Sequence, residues 1–380
     1  MQASTYRVWQ QFHGFVKQIV PQLHGHRCKT LAWLVVGIIL AGSVASARIA
    51  EVLRRVSGTQ ASSQERTIYR FLANAGLDPH AVWQQVLPSL LADFASQPEN
   101  TFVVDLTPIG TWAIIVWFGV LQHSRVWPLG WRVMPGQSAW EEGQYALLAD
   151  FLQQVSPLMG QAQCRLLTDS GIAREQLIKL CEQYHWHYLL RLELDKGFYA
   201  KERDQHGQLI WQPLQTILSA PGQYWQGPVW LWKTYERPVW LTACWQQGEE
   251  VPLVVISDEG AGRQYLRRYR GRMGVEALIQ DSKSRAFGLQ ATHIRDREHL
   301  ERLLLLLCLA IWWLAREGAS CIHHGKRRLF DRSDRRDKSV VRLGRQWFLE
   351  ILERTTGAAS LVRCVPFQRR ATGWRLCLRF

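Results

Sequence analysis

One acidic residue lies among cations at helical intervals in the segment YRGRMGVEALIQDSKSRAFG, residues 269–288. On an ideal helix, which turns about 100° per residue, Tyr269, Arg272, Glu276 and Lys283 lie within a stripe about 60° wide. An ordinary exposed helix can carry an Arg272–Glu276 pair, which contributes about 0.2–0.5 kcal/mol. That pair gives no reason for the positions of Tyr269 and Lys283. The spacing therefore predicts one row that combines a carboxylate with cationic neighbours.

Two further acids interrupt apolar segments. Asp105 lies inside FVVDLT, and Asp169 ends CRLLTD. A carboxylate in a buried strand is costly unless a cation or a metal compensates it, and acids at strand ends converge at the sheet edge where ligands bind. Two acids held together repel each other, and a divalent metal such as Mg²⁺ removes that repulsion. Taken singly, each aspartate fits a salt bridge or a turn cap better than a metal site.

The elements that must position these acids change type near residue 100. Before that point, apolar residues recur at helical spacing, as in YRVWQQFHGFVKQIV and RIAEVLRRV. From Thr101 onward the patterns indicate strand, strand, strand, helix, strand, helix and strand, which predicts an α/β fold with a mixed sheet flanked by helices.

Residues from about 196 to 255 break this alternation. They are rich in Trp, Gln, Gly and Pro, and short aromatic and β-branched runs between turns predict an inserted β-rich subdomain. A helical region follows from about 262 to 318, and its run HLERLLLLLCLAIWWLA predicts a buried core helix. The stretch 326–345 then concentrates nine Lys and Arg with three Asp, which is typical of a solvated loop or a phosphate-contacting arm.

The overall charge favours a polyanionic partner. The chain has 380 residues, with 46 Lys and Arg against 32 Asp and Glu, and a formal net charge of +14. Nucleic acid is the first candidate and an anionic membrane surface the second, although a merely basic surface gives the same count. The eight cysteines are scattered without a CxxC pair, which indicates a reduced, intracellular protein.

One apolar segment raises the possibility of a membrane span. The segment 31–50 is apolar over most of its length and carries small residues like those of a cleavage site. It begins some 30 residues into the chain and runs directly into the basic, amphipathic EVLRRVSG. These features favour a buried helix over a span or a signal sequence.

Taken together, the acids and the row of cations resemble a known family. The spacing of Tyr269, Arg272, Glu276 and Lys283 is similar to the YREK signature of bacterial insertion-sequence transposases that carry a DDE triad. VVDLT resembles the motif of the first aspartate and LTDSGI that of the second, while Ile172 departs from a more usual aromatic. A β-rich insertion before the last acid also fits this family. The resemblance covers roughly residues 65–313.

This resemblance implies an α/β, RNase H-like catalytic core in two parts. The expected domains are a helical N-terminal DNA-binding domain at 1–98, core segments at 99–195 and 257–325, a β-rich insertion subdomain at 196–256, and a basic C-terminal region at 326–380 for DNA contact or dimerisation. The resemblance further implies a cytoplasmic protein, associated with the nucleoid when DNA is bound. Its partners would be transposon-end DNA, target DNA and a second copy in a homodimeric synaptic complex, with no membrane.

The resemblance also implies the chemistry. Asp105, Asp169 and Glu276 would be catalytic and would hold two Mg²⁺ or Mn²⁺ ions for hydrolysis and strand transfer, with hairpin ends as intermediates. Contacts to phosphates near the scissile bond would come from the remaining residues of the row, namely Tyr269, Arg272 and Lys283. A base turned out of the duplex would stack on one of four candidate tryptophans, Trp225, Trp230, Trp232 and Trp240.

Three other functions fit parts of the sequence. A metal-dependent nuclease would cut DNA without joining it, an inactive homologue would only bind DNA ends, and a basic protein could associate with a membrane through residues 31–50. Two histidine-containing segments, CIHHG at 321–325 and YHWHY at 184–188, are weaker metal candidates and fit structural roles better.

Overall fold

A computed structural model of the protein describes residues 2–136, 143–332, 334–354, 367–370 and 373–376, the last two ranges as backbone only. Glu141 and Glu142, expected at the start of a helix, lie outside the described residues, as do Cys364, Cys377 and much of the region 355–380. The six cysteines with described side chains carry free thiols, in agreement with a reduced protein.

Five helices form the N-terminal module: α1 (Gln2–Ile19), α2 (Gly25–Ala41), α3 (Ser46–Ser57), α4 (Ala61–Leu72) and α5 (Pro79–Leu91). Local signals set their ends. Gly42 closes α2 in the left-handed conformation at φ 58°, which favours glycine because no side chain clashes there. Asp78 begins α5 by accepting hydrogen bonds from the N–H groups of His80 and Ala81.

The apolar segment considered as a membrane span lies on α2 and the start of α3. These two helices are bent by 102° where they meet, and most of α2 is buried inside the protein. A later helix, α10 (Arg297–His323), is also long and apolar enough to cross a membrane by length and composition, but 89% of its most apolar window is buried. Both segments therefore have the character of core helices.

The main sheet begins with five strands: β1 (Glu99–Ile109), β2 (Ala113–Gln122), β3 (Arg125–Pro135), β4 (Gln163–Thr168) and β5 (His187–Leu192). Their spatial order is β3-β2-β1-β4-β5. The first three strands pair antiparallel, whereas β4 runs parallel to both β1 and β5. Two crossover helices connect the parallel strands, α6 (Gln144–Met159) and α7 (Glu175–Gln183). The mixed α/β architecture predicted from the sequence is confirmed.

The predicted insertion is β-rich, but most of its strands belong to the main sheet and do not form a separate subdomain. It contains β6 (Phe198–Arg203), β7 (Leu209–Pro213), β8 (Tyr224–Val229), β9 (Val239–Cys244) and β10 (Leu253–Ser257). Only β6 and β7 form a separate two-stranded sheet, whereas β10, β9 and β8 continue the main sheet beyond β5 to give eight strands. Pairing with β10 satisfies backbone groups of β5 that an edge strand would leave open.

The segment that carries the cationic row is helical but not a regular α-helix. It consists of α8 (Arg263–Arg270), a 3₁₀ turn (Gly271–Met273), α9 (Gly274–Gln280) and a π-helical turn (Asp281–Arg285). A tightened turn and a widened turn therefore interrupt the constant rotation that the 60° stripe assumed.

The long helix α10 forms the centre of the molecule and packs against α11 (Val340–Arg354). A Cβ atom on Gly318 would collide with the carbonyl oxygen of Val340, and one on Gly344 with that of Leu314. Glycine at these two positions therefore allows the helix backbones to touch. A two-stranded hairpin, β11 (Phe367–Arg370) and β12 (Gly373–Leu376), ends the described chain.

Candidate active site

Parallel pairing of β1 with β4 brings the first two acids together. Val104 is in register with Thr168, so Asp105 and Asp169 follow side by side on neighbouring strands. One nitrogen of Arg272, Nη2, lies 2.6 Å from Asp169 Oδ2 and 3.5 Å from Asp105 Oδ1. Residues far apart in the chain thus share a single guanidinium group.

Asp105 is the more buried of the two acids. Its side chain is 14% exposed, and its Oδ1 accepts a hydrogen bond from the N–H of Leu106 at 2.9 Å. Burial raises its pKa, and the negative charges of Asp169 and Glu276 raise the pKa further. The positive charge of Arg272 and the backbone hydrogen bond oppose this rise without cancelling it. Asp105 therefore lies where a further cation would be stabilising.

Asp169 follows the end of β4 and is about one-third exposed. Its Oδ1 accepts a hydrogen bond from the N–H of Ser170 at 2.8 Å and lies 3.5 Å from Arg191 Nη1. Sequence reasoning missed Arg191, although a single arginine in the otherwise apolar start of YLLRLEL was a signal that this strand reaches a charged site.

Arg272 contacts both aspartates, and Tyr269 contacts the strand end that precedes Asp169. Arg272 is buried, and although burial lowers its pKa, the negative groups around it raise the pKa overall. Its Nε makes no hydrogen bond within the described part of the chain. The buried Tyr269 donates its hydroxyl to the carbonyl of Thr168 at 3.3 Å, and burial raises its pKa. The tyrosine thus braces the end of β4 next to Asp169.

Glu276 lies on α9, and two glycines let this short helix approach the sheet. A Cβ atom on Gly274 would lie 2.7 Å from the carbonyl oxygen of Ser124 in the β2–β3 turn, and one on Gly271 would lie 2.9 Å from a side-chain carbon of Leu121. The Glu276 side chain is exposed, and its charge contributes to the raised pKa of Asp105. The third acid therefore lies within electrostatic reach of the first.

Lys283 lies in the π-helical turn after α9 and is half-buried. Because the chain departs from α-helical rotation on both sides of Glu276, helical spacing alone does not place Lys283 beside Arg272. Its contact with phosphate remains a prediction.

The four candidate tryptophans differ in their surroundings. Lys201 Nζ lies 4.9 Å from the ring centre of Trp225, the guanidinium carbon of Arg203 lies 5.4 Å from that of Trp230, and Trp240 is 41% exposed. Trp232 instead lines a cavity of about 350 Å³. The same cavity is lined by Ser170, Arg174, Glu193, Lys196 and Phe198, among others. Trp232 therefore shares a cavity with Ser170, the neighbour of Asp169.

A second acidic cluster lies at the opposite end of β4 and β5. The ligand atoms of His187, Asp258 and Glu259 lie within 4.8 Å of one another, the one group of this kind within the described ranges. Asp258 accepts a hydrogen bond from the N–H of Tyr188, and both oxygens of Glu259 accept from the buried Arg165 at 2.7 Å. These contacts give the cluster a structural role in joining strands. His324, of the other weak candidate, contacts the carbonyl of Ser320.

The acids of the basic C-terminal stretch are paired with neighbouring arginines. Three ion pairs account for them, Arg327–Asp331, Arg332–Asp334 and Arg335–Asp337. The stretch is therefore partly neutralised, and its contact with DNA or with a second copy remains a prediction.

An α/β sheet that gathers carboxylates and arginines at one place is suited to bind metal ions and phosphate groups. A match to a known family is more specific: residues 135–313 match a family described as "Transposase DDE domain". This match supports a DDE transposase domain in the chain, and the architecture is consistent with the RNase H-like fold of that class. Asp169 and Glu276 lie within the matched range and Asp105 lies before it. No curated protein matches the chain.

Proposed function

We propose that the protein excises and inserts an insertion-sequence element by cutting and joining DNA at a centre formed by Asp105, Asp169 and Glu276. One observation carries the proposal: Asp105 and Asp169 share the guanidinium group of Arg272, and the charge of Glu276 reaches Asp105. An ordinary surface ion pair needs only one acid and one base. It does not require acids from three separate elements to lie close together.

The donor set fits divalent metal ions. All three side chains offer oxygen, the ligand that Mg²⁺ and Mn²⁺ prefer, and Asp105 gains from an added cation because its burial and its acidic neighbours raise its pKa. Two ions held by Asp105, Asp169 and Glu276 would supply Lewis-acid stabilisation and an activated nucleophile for displacement at phosphorus.

The other residues of the site position the substrate. Arg272 neutralises Asp105 and Asp169 and presents a guanidinium group that can bind a phosphate bidentately. Arg191 brings a second guanidinium to Asp169, and Lys283 would act on the phosphate as a point charge. Tyr269 holds the end of β4 through Thr168 and thereby fixes where Asp169 points.

Joining through hairpin ends requires a strongly distorted duplex end, and Trp232 is the best placed ring to hold a base turned out of it. The cavity that it shares with Ser170 lies next to Asp169, and base stacking on an aromatic ring is worth about 1–3 kcal/mol. The partners would be transposon-end DNA, target DNA and a second copy in a synaptic homodimer. The site of action would be the cytoplasm and the nucleoid.

The test is cleavage and joining of the DNA that flanks the gene. With Mg²⁺ or Mn²⁺, full-length protein should nick labelled flanking duplexes and join them to a plasmid, because one centre performs both steps. Asp105→Asn and Glu276→Gln should abolish both steps and leave duplex binding nearly intact. Glu353→Gln, an exposed change on α11, is the matched control and should behave as the wild type does.

Each contrary result has a definite meaning. Cleavage without any joined product would show a metal-dependent nuclease, and binding without cleavage would show an inactive DNA-end-binding protein. Cleavage that survives Glu276→Gln would refute the assignment of the third acid.

A further inference from the structure

Helices α3 and α4 form a helix–turn–helix unit. The three residues Gly58, Thr59 and Gln60 separate them, and Gly58 adopts a left-handed conformation at φ 74°. Two helices joined by a turn of three or four residues containing glycine are typical of the motif whose second helix enters the major groove of DNA.

A buried amide fixes the geometry of this turn. Gln64 is 8% exposed, and its Nε2 donates to the hydroxyl oxygens of Ser57 at 3.2 Å and Thr59 at 2.7 Å. Its Oε1 accepts a hydrogen bond from the indole N–H of Trp33 on α2 at 3.1 Å. Because these contacts join both sides of the turn to a third helix, α4 is held in one orientation.

Opposite faces of α4 have opposite character. Gln64, Ile68, Phe71 and Leu72 face the core of the module. The exposed side chains on the other face begin with short serines in the first turn and continue with long ones: Ser62, Ser63, Glu65, Arg66, Tyr69 and Arg70. Short side chains at the start of a helix leave room for close approach to a surface, and the arginines follow within reach of it.

The unit is positively charged around this face. Arg48 on α3 is exposed, whereas Arg54 and Arg55 pair with Glu51 at 2.7 and 3.0 Å. Glu65 is the one acid in the sequence of α4. A polar, cationic helix face matches duplex DNA, whereas the centre of an interface with a second copy would be enriched in apolar residues.

We infer that α4 reads base edges in the major groove of transposon-end DNA, with Arg66 and Arg70 as the specificity-determining residues and Arg48 on a backbone phosphate. Arginine binds guanine bidentately at O6 and N7, and an α-helix fits the width of the major groove. This assignment rests on the proposed function, which supplies the DNA end as the ligand.

The experiment uses full-length protein and two probes: duplexes of about 40 base pairs from each flank of the gene, and selection from a random-sequence pool. Arg66→Ala should weaken binding to the flanking duplexes by about 5- to 150-fold and alter the selected bases at one or two adjacent positions. Affinity for unrelated duplexes should change much less. Arg66→Lys should keep that non-specific affinity and relax the preference, and Arg70→Ala should act at a different position.

The control is Arg7→Ala, which removes the same charge from an exposed position on α1. The inference is overturned if Arg7→Ala has the same effect as Arg66→Ala, if the wild type selects no sequence, or if both α4 variants select the wild-type sequence. It is also overturned if the α4 variants change the oligomeric state and leave DNA binding unchanged. Sequence selection through Arg66 without cleavage would refute the proposed function alone, and cleavage with unchanged selection in the variants would refute this inference alone.

Discussion

At the scale of single residues, two buried acids differ in whether a nearby cation compensates their charge. Asp105 is buried beside Arg272, which compensates it, whereas Glu317 is buried in α10 without comparable compensation. The nearest cation to Glu317 is Arg316 at 3.9 Å, and its Oε1 accepts no hydrogen bond within the described part of the chain. Burial raises the pKa of Glu317 to about 8. This glutamate is therefore protonated in the folded protein at neutral pH.

The free energy of unfolding should fall as the pH rises between about 4.5 and 8. In this range the unfolded chain releases the proton of Glu317 and the folded chain retains it, so folding becomes progressively less favourable. Glu317→Gln should remove this part of the pH dependence and stabilise the protein at pH 8 by an amount on the order of several kcal/mol. Urea unfolding of metal-free protein at about pH 5 and pH 8 measures the difference. Equal pH dependence in Glu317→Gln and in the exposed control Glu353→Gln would contradict the prediction.

At the scale of elements, the position of α9 depends on Gly274, because a residue with a side chain would not fit against the β2–β3 turn. Gly274→Ala would bring a methyl group to 2.7 Å from the carbonyl oxygen of Ser124, so the helix must move away from the β2–β3 turn. Glu276 would move with it, and a displacement of about 1 Å can cost about 10²-fold in rate. Cleavage of flanking DNA should fall by about that factor while duplex binding is kept.

Gly14→Ala serves as the control for this change. Gly14 lies within α1, and a Cβ atom added there meets nothing within 4 Å. The change should therefore stabilise α1 by about 0.5–1 kcal/mol and leave cleavage unaltered. Cleavage by Gly274→Ala at the wild-type rate would show that α9 tolerates the shift and that its glycine does not position Glu276.

At the scale of the whole molecule, Arg302 joins the N-terminal helical module to the central helix α10. It lies on α10, is nearly buried, and donates to the carbonyls of Leu72 at 2.8 Å and Leu77 at 3.1 Å, at the end of α4 and in the loop beyond it. It also pairs with Glu298 on its own helix at 3.0 Å. This one side chain connects the end of α4 to the helix at the centre of the protein.

Arg302→Met should keep the packing of the side-chain stem and leave two carbonyl groups without their donor. The expected loss is about 2–4 kcal/mol in the free energy of unfolding, with faster proteolysis in the loop 73–78. Cleavage of flanking duplexes should fall more than non-specific nicking of a plasmid, because the module no longer delivers the end in one orientation. Arg297→Met, exposed in the first turn of α10, should show none of these effects. An equal loss in both cleavage assays would point to general destabilisation.

The sequence predicted the parts of this molecule that depend on local pattern and strand order. The two aspartates were expected to converge, and they do so because β1, which contains Asp105, pairs in parallel with β4, which Asp169 directly follows. The spacing around Glu276 predicted a third carboxylate near them. The exact path of the row did not follow from the sequence, because the 3₁₀ turn Gly271–Met273 and the π-helical turn Asp281–Arg285 interrupt the constant rotation of an ideal helical wheel. The pairing of β10 with β5 is a non-local contact that propensity cannot assign. Arg191 was missed because its contact with Asp169 depends on the pairing of β5 with β4, which aligns Leu190 with Thr168.

The continuation of the sheet from β5 through β10, β9 and β8 limits how this enzyme can be re-engineered or can have diverged. Deleting the inserted region would remove β10, the partner of β5 on one side. It would turn β5 from an interior strand into an exposed edge strand that can pair with other chains. Grafting a foreign insertion would require the donor to bring a strand that pairs with β5 in the same register as Val254 with Leu192. The inserted strands are thus part of the same sheet that carries Asp105 and Asp169.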